Sequence, residues 1–420
     1  MTSQFSLLWA LVFGLMVLLT LGVQMWLAGR QLRHVASHRH QVPAAYAHTI
    51  ALEEHQKAAD YTVAKLRLGV LEAAIGSAVL VGWTLLGGLH VLNQGLVALL
   101  GPGLPQQLAL LASFAVIGML IDLPFGWYRT FRLEKQFGFN RSTLGLWLSD
   151  GAKGLALAAL LGLPLAALVL WLMDAAGPAW WVWAWLVWVG FNLLVLVLYP
   201  SFIAPLFNKF EPLQDESLKA RVTALMDRCG FEAKGLFVMD GSRRSAHANA
   251  YFTGFGPAKR VVFYDTLLKQ LSPDEMDAVL AHELGHFKHR HIIKRMVGIF
   301  LFSLAGLALL GWLSQQTWFY EGLGVTPSMV GSNSGVALIL FSLSLPLFTF
   351  FLSPLLSGLS RQHEFEADAY AKSQTGGAPL VSALLKLYKD NASTLTPDPW
   401  YVRFYYSHPP ATDRLARLSA

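Results

Sequence analysis

Long apolar runs alternate with polar, mostly basic stretches along most of the chain. A helix needs about 20 apolar residues to cross ~30 Å of hydrocarbon. Runs of that length lie near 5–27, 69–93, 106–127, 155–174, 179–199, 293–313 and 335–357, and they predict seven membrane spans. The first has no basic stretch before it and is too long for the apolar core of a signal peptide, so it is expected to stay as an anchor. Glu72 sits just inside the second run, where a carboxylate either snorkels to the interface or faces a wet cavity; the cavity is the reading preferred here.

The loops sort by charge. Segment 28–67 carries Arg30, Arg33, Arg39, Lys57, Lys65 and Arg67, and 128–154 carries Arg129, Arg132, Lys135, Arg141 and Lys153. The linkers at 100–105, 175–178 and 314–334 have no Lys or Arg. The positive-inside rule then puts the N-terminus outside, and loops 28–67, 128–154 and 200–292 with the C-terminal tail in the cytoplasm. The chain divides into a five-span region with two cytoplasmic loops (1–199), a polar insert (200–292), two further spans (293–357) and a C-terminal cytoplasmic region (358–420).

The insert reads as a small folded unit. YPSFIAPLFNKFEPL is turn-like, 214–229 has a charged helical pattern, and strand-like runs cover 236–240 and continue from 260. Between those strands, SAHANAYFTGFG suits a strand and turn. At 272–275 the sequence SPDE forms a capping box, with Ser272 as N-cap, Pro273 at the first helical position and Glu275 at the third, so a helix starts there.

Composition narrows the function. Of the 420 residues, 54% are hydrophobic and 14% charged, well off the average for soluble domains. The single cysteine, Cys229, excludes an intramolecular disulfide framework and a cysteine-built zinc site. The net charge of +6 comes with no nucleic-acid recognition module, so the basic residues read as topology signals and contacts to membrane lipids, and nucleic acid is not an expected partner.

The capped helix carries AHELGHFKHRH. His282 and His286 are i and i+4, so their imidazoles share a face and can grip one ion, while Glu283 is angled to reach a water on that ion without binding the metal. In this H-E-x-x-H arrangement zinc lowers the pKa of water towards 7 and the glutamate takes the proton. His289 lies near the same stripe and His291 on the opposite side; for both, a solvated or lipid-headgroup role is expected. The extended zinc motif is excluded because His289 and Ile292 stand where it needs glycine and histidine. A third protein ligand must come from elsewhere, and RQHEFEADAYA at 361–371, directly after the last span, is the best supplier. There Glu364 and Asp368 are i and i+4, so on a helix Glu364 can complete a His₂Glu site while Asp368 turns back to hydrogen-bond a ligand imidazole and fix its tautomer; the alternative is a charged amphipathic cap that ends a membrane helix. Glu366 is expected to be a solvated or ion-paired surface charge. Asn249 either holds substrate backbone beside an edge strand or is a turn asparagine. His408 and Arg414, in YYSHPPATDRLARL, are donors suited to an oxyanion, although a lone late histidine is more often a surface residue.

Taken in order, LPFGWYRTFRLEKQFGFNRSTLGLWLSD, YPSFIAPLFNKFEPL, HANAYFTGFG, AHELGHFKH, RQHEFEADAYA and YYSHPPATDRL resemble the type I CAAX prenyl endopeptidases, integral-membrane zinc metalloproteases, over nearly the whole chain. The resemblance implies a mainly α, multi-pass membrane helical barrel of about seven spans around a water-filled chamber, with a small zincin-like α/β metalloprotease domain. By position it implies one zinc ion held by His282, His286 and Glu364, with Glu283 as general base. It further implies Asp368 in support, Asn249 with His247 at the substrate, and His408 with Arg414 assisting the tetrahedral intermediate. Peptides tethered to lipid or to a membrane segment are the implied substrates; eukaryotic members remove the last three residues of prenylated CAAX proteins. Short loops and the lack of an obvious retention signal suggest a bacterial cytoplasmic membrane, the endoplasmic reticulum being the eukaryotic counterpart. A membrane-protein quality-control protease acting on unprenylated substrates is the alternative enzyme, and a transporter or scaffold the non-enzymatic one.

Overall fold

The computed structural model describes residues 2–232, 235–253 and 260–419. The first half is helical: α1 (Thr2–Ser37), α2 (Leu52–Trp83), α3 (Gly88–Leu100), α4 (Leu104–Tyr128), α5 (Leu144–Ala175) and α6 (Trp180–Leu198). The polar insert follows with α7 (Ala204–Phe207), β1 (Phe210–Pro212), α8 (Glu216–Arg228), β2 (Leu236–Met239), β3 (Ala250–Thr253), β4 (Arg260–Tyr264), α9 (Asp265–Gln270) and α10 (Pro273–Lys288). The chain then returns to the membrane through α11 (His291–Leu313), α12 (Thr317–Glu321) and α13 (Ser334–Thr349). It ends with α14 (Ser353–Thr375), α15 (Gly377–Asp390), α16 (Pro399–Tyr405) and α17 (Ala411–Ser419).

Seven helical runs are long and apolar enough to cross a membrane. They form a ring in which α1 packs on α2, α4 on α5, α5 on α6, α6 on α11, α11 on α13 and α13 on α1, with α3 wedged between α2 and α4 and α13 also packed on α4 and α5. Only 6% of the apolar window is buried in each of the runs Leu104–Glu134 and Gly177–Phe207. So little burial means that these helices are not packed on all sides, unlike helices in a solid bundle. One end of the ring is closed by a core that includes Phe13, Leu89, Leu110, Trp180, Leu310, Phe319 and Leu340, drawn from six spanning or capping helices and α12. The insert of 200–292 and the C-terminal helices close the other end, so the molecule is a multi-pass helical chamber.

The second span differs from its sequence expectation of 69–93. Helix α2 begins at Leu52 and stops at Trp83, and the chain turns through Thr84–Gly87 before α3. The turn needs glycine: Gly87 has φ 78°, and a Cβ on Gly324 would lie 2.2 Å from the Thr84 carbonyl oxygen. Thr84 and Gly324 thus approach backbone to backbone. Glu72 therefore lies deep within α2, where it pairs with Arg129 at the end of α4. Residues 361–371 do not follow the last span as a separate piece, because 334–375 is one nearly continuous helical run.

The insert folds around a four-stranded sheet in the order β1-β2-β4-β3. Strands β2 and β4 are parallel; the β1–β2 and β3–β4 pairs are antiparallel. This leaves β3 as an edge strand. The glycine turn expected after it, at 254–256, lies outside the described residues. The segment at 199–213, expected to be turn-like, contains α7 and β1, while α8 matches the charged helical pattern. Val222, Leu225, Val261, Phe263, Leu280, Leu284, Leu380 and Leu384 share one core, which fixes α10 between the sheet and α15. Two ties fasten this unit to the membrane helices. Asp398 caps α16 through the Trp400 and Tyr401 N–H groups and accepts a bidentate pair from Arg30 of α1, while Lys389 meets Glu54 of α2 at 2.7 Å.

Candidate active site

Helix α10 starts where the capping box predicts, with Ser272 N–H donating to Glu275 Oε2 (2.7 Å) and Glu275 N–H to Ser272 Oγ (3.4 Å). Glu275 also accepts from Ser382 Oγ (2.6 Å) and Lys386 Nζ (2.7 Å), so the cap locks α10 onto α15. Ten residues on, the same helix lies against α14 at Gly285. A Cβ there would stand 2.9 Å from Ala367 Cα and 3.1 Å from its carbonyl oxygen. Only glycine lets the two backbones come so close.

That close approach gathers the expected ligands. Nε2 of His282 and Nε2 of His286 are 3.2 Å apart; Glu364 Oε2 is 3.5 Å from the first and Oε1 is 3.3 Å from the second. All three donor atoms lie within 4.8 Å of one another. Two metal–ligand bonds of about 2.1 Å at a tetrahedral angle put their donors about 3.4 Å apart, so these separations fit one small tetrahedral ion. The buried Glu364 Oε2 accepts no hydrogen bond, which is what a carboxylate oxygen committed to a cation would show. Two imidazoles and a carboxylate are the donor set of a zinc hydrolase site.

Around the triad, Asp368 Oδ1 is 2.8 Å from His282 Nδ1 and also accepts from Arg414 Nη2 (2.6 Å), while Arg414 Nε donates to Asp368 Oδ2 (2.8 Å). Arg414 Nη1 stays 3.9 Å from Glu364. Its guanidinium is thus directed mainly at Asp368, behind the ligands. His408 Nε2 is 3.4 Å from Glu364 Oε1, with 65% of its side chain open to solvent. It borders a cavity of about 590 Å³ lined by residues of α1, α2 and the C-terminal region.

The charges are mutually adjusted. Burial alone would lower the His282 pKa, but Asp368 and Glu364 raise it to about 9 in the metal-free protein. Burial pushes the Glu283 carboxyl up, against the pull of His282 and His286. The protein packed around His408 lowers its pKa, because this outweighs the attraction of Glu364 even though the ring edge is open to the cavity.

Two expected substrate residues make their contacts with other groups. Asn249 is exposed at the start of β3; its Oδ1 accepts from Ala250 N–H and its backbone oxygen from Tyr264 N–H. His247 stacks on Phe139 at 4.5 Å, contacts Asn391 Oδ1 at 2.9 Å and lies 3.8 Å from Glu134; Glu134 raises its pKa. Its ring joins the insert to the end of the third span. His291, expected at a solvated or headgroup position, is instead buried: Nδ1 is 3.0 Å from Nδ1 of His286 and Nε2 is 2.9 Å from Glu366. The helical-wheel projection failed because the helix stops at Lys288 and Arg290 turns left-handed (φ 55°, ψ 33°), which swings His291 back under His286. The signal that could have found it is the histidine density itself, read without assuming one continuous helix.

Residues 31–209 match the family described as CAAX prenyl protease N-terminal, five membrane helices, and residues 212–420 match peptidase family M48. A CAAX prenyl protease 1 homolog of Oryza sativa subsp. japonica is 38% identical over 316 residues, covering 74% of this chain and 73% of the relative. CAAX prenyl protease 1 of Saccharomyces cerevisiae is 38% identical over 327 residues, covering 74% and 72%. A Caenorhabditis elegans homolog is 31% identical across 92% of this chain and 93% of its own. The crystal structure of S. mikatae Ste24p superposes with a TM-score of 0.92 at 31% identity, covering 98% of this chain and 99% of that one. Resemblance carried by six separate stretches, a ring of seven spans and a His–His–Glu cluster agree with these matches: the chain belongs to peptidase family M48 and is a membrane metallopeptidase of the CAAX prenyl protease type.

Proposed function

We propose that the chain is a zinc endopeptidase that cuts near the C-terminus of membrane-tethered proteins, prenylated CAAX proteins being the substrate class. The convergence of His282, His286 and Glu364 on one point, at the end of the membrane ring and beside Glu283, carries this reading. Zinc held by these three residues supplies Lewis acidity and lowers the pKa of water towards 7. Glu283 takes the proton from the attacking water and returns it to the leaving amine; burial raises its carboxyl pKa in the direction that suits both steps. Asp368 holds His282 in the tautomer that turns Nε2 to the metal, and Arg414 holds Asp368. His408, neutral and open to the cavity, donates to the oxyanion, and Arg414 adds positive charge from behind Glu364. Asn249 and the free edge of β3 hold the substrate backbone, with His247 anchoring that strand to Glu134 and Asn391.

The domain limits that go with this reading are 1–199, 200–292, 293–357 and 358–420. The site faces the cytoplasm, in a bacterial cytoplasmic membrane or, in a eukaryote, the endoplasmic reticulum. The names of the relatives, CAAX prenyl protease 1 and its homologs, support the substrate class. The test is cleavage of a farnesylated CAAX peptide and its unprenylated twin by wild type and Glu283→Gln in detergent. Base-dependent loss of the last three residues from the lipidated peptide alone is the expected result. Equal cutting of both would replace the prenyl specificity with quality control of membrane proteins, and cutting by Glu283→Gln would overturn the catalytic assignment.

A further inference from the structure

His282 and His286 both turn Nε2 towards Glu364, so the partner of each Nδ1 decides the tautomer and angle of its ring. For His282 that partner is Asp368. Among the described residues no carboxylate reaches Nδ1 of His286; a second imidazole does, His291 Nδ1 at 3.0 Å, and His291 Nε2 is in turn 2.9 Å from Glu366 Oε2. Each contact needs one donor and one acceptor. With Nε2 of His286 kept as a free lone pair, only one arrangement of protons satisfies both: His286 Nδ1–H donates to His291, and His291 Nε2–H donates to Glu366. We propose that His291 and Glu366 are positioning residues for His286, a neutral imidazole and a carboxylate that fix its tautomer and ring angle for metal binding.

The surroundings hold His291 to this task. The ring is buried and lies between His363, stacked at 4.0 Å and 12°, and His289, near-parallel at 5.5 Å. Gln362 Nε2 donates to the other oxygen of Glu366 at 3.1 Å, which sets the carboxylate plane. The left-handed turn at Arg290, unfavourable for a residue with a Cβ, is the feature that brings His291 under His286. A surface histidine would need none of these.

The proposal rests on His282, His286 and Glu364 being the metal ligands, and the test separates the two. Zinc affinity of the full chain in detergent is measured by chelator competition, and the visible spectrum of the cobalt-substituted protein reports ligand geometry. In His291→Leu the zinc dissociation constant should rise about 10- to 100-fold, the usual effect of losing a partner behind a ligand, with a shifted cobalt spectrum. His291→Gln, whose side-chain carbonyl can accept the same N–H, should recover most of the affinity. Glu366→Ala, at a partly exposed position, gives the same readouts if His291→Leu does not fold, and should also weaken zinc binding. Wild-type affinity in His291→Leu, or in Glu366→Ala where that variant stands in, overturns the proposal, and so does a His291→Gln variant as weak as His291→Leu. Absence of stoichiometric zinc from the wild type overturns the ligand assignment itself.

Discussion

Replacing Gly285 by alanine sets two effects of opposite sign against each other. On a helix with no neighbour the change would stabilise by about 1 kcal/mol, because alanine loses less backbone entropy. Here the new Cβ would lie 2.9 Å from Ala367 Cα, 3.1 Å from Ala367 O and 3.2 Å from Tyr370 Cβ. Carbon atoms rest about 3.5–4.0 Å apart, so α10 and α14 must separate locally by about 0.7 Å, and backbone atoms cannot rotate aside as a side-chain tip would. His286 is the next residue on one helix, and Ala367 lies between Glu364 and Asp368 on the other. The gap would therefore widen the 3.3 Å spacing of His286 and Glu364, whereas metal–ligand distances hold to about 0.2 Å. Gly285→Ala should lose about 1–3 kcal/mol of stability through overpacking and bind zinc at least tenfold more weakly. Thermal melting of the metal-free protein and chelator competition for zinc measure the two. A variant that melts higher and keeps wild-type zinc affinity would refute the claim that glycine is there for helix contact.

Glu364→Ala should remove most of the zinc, since the proposed site takes its protein donors from His282, His286 and Glu364; metal analysis of the purified variant would show about one zinc per chain retained if that assignment is wrong. Because burial raises the Glu283 pKa, kcat/KM should fall with acid at a pH above the ordinary glutamate value of 4.5, and a rate level down to pH 4.5 would count against Glu283 as the base. Burial pushes the Glu275 carboxyl up, but Lys386, Ser382 and the Ser272 N–H overcome it and bring the pKa from 4.5 to about 2. The folded-state value lies below the unfolded one, so this contribution, about 3 kcal/mol at most, is complete above pH 4.5 and fades as pH falls towards 2. In Glu275→Gln the acid-induced loss of stability across that window should be shallower, as followed by denaturant unfolding at several pH values.

Much of the site was legible because its chemistry has helical spacing: 282 with 286 and 364 with 368 can be read from the chain, and the SPDE box marks where α10 begins. The parts that escaped are those set by backbone turns. The apolar run at 69–93 hides the break at Thr84–Gly87, since hydropathy averages over a glycine turn that packing against Gly324 makes possible. His291 was misplaced for a related reason, a helix projected through a left-handed residue. The close contact at Gly285 has no hydropathy signature at all, and the commitment of Arg414 to Asp368 depends on where α17 docks, which no local pattern encodes.

The distance along the chain between His282 and Arg414, 132 residues, has a consequence during synthesis. At about 5–20 residues per second, the helix carrying His282 and His286 is made some 7–26 s before the arginine that steadies Asp368 behind them. Glu364 and Asp368 arrive between the two. Until the last helices dock, the ribosome-bound chain has an incomplete cleft, so the peptidase becomes competent only after most of its own length has left the machinery that inserts it into the membrane.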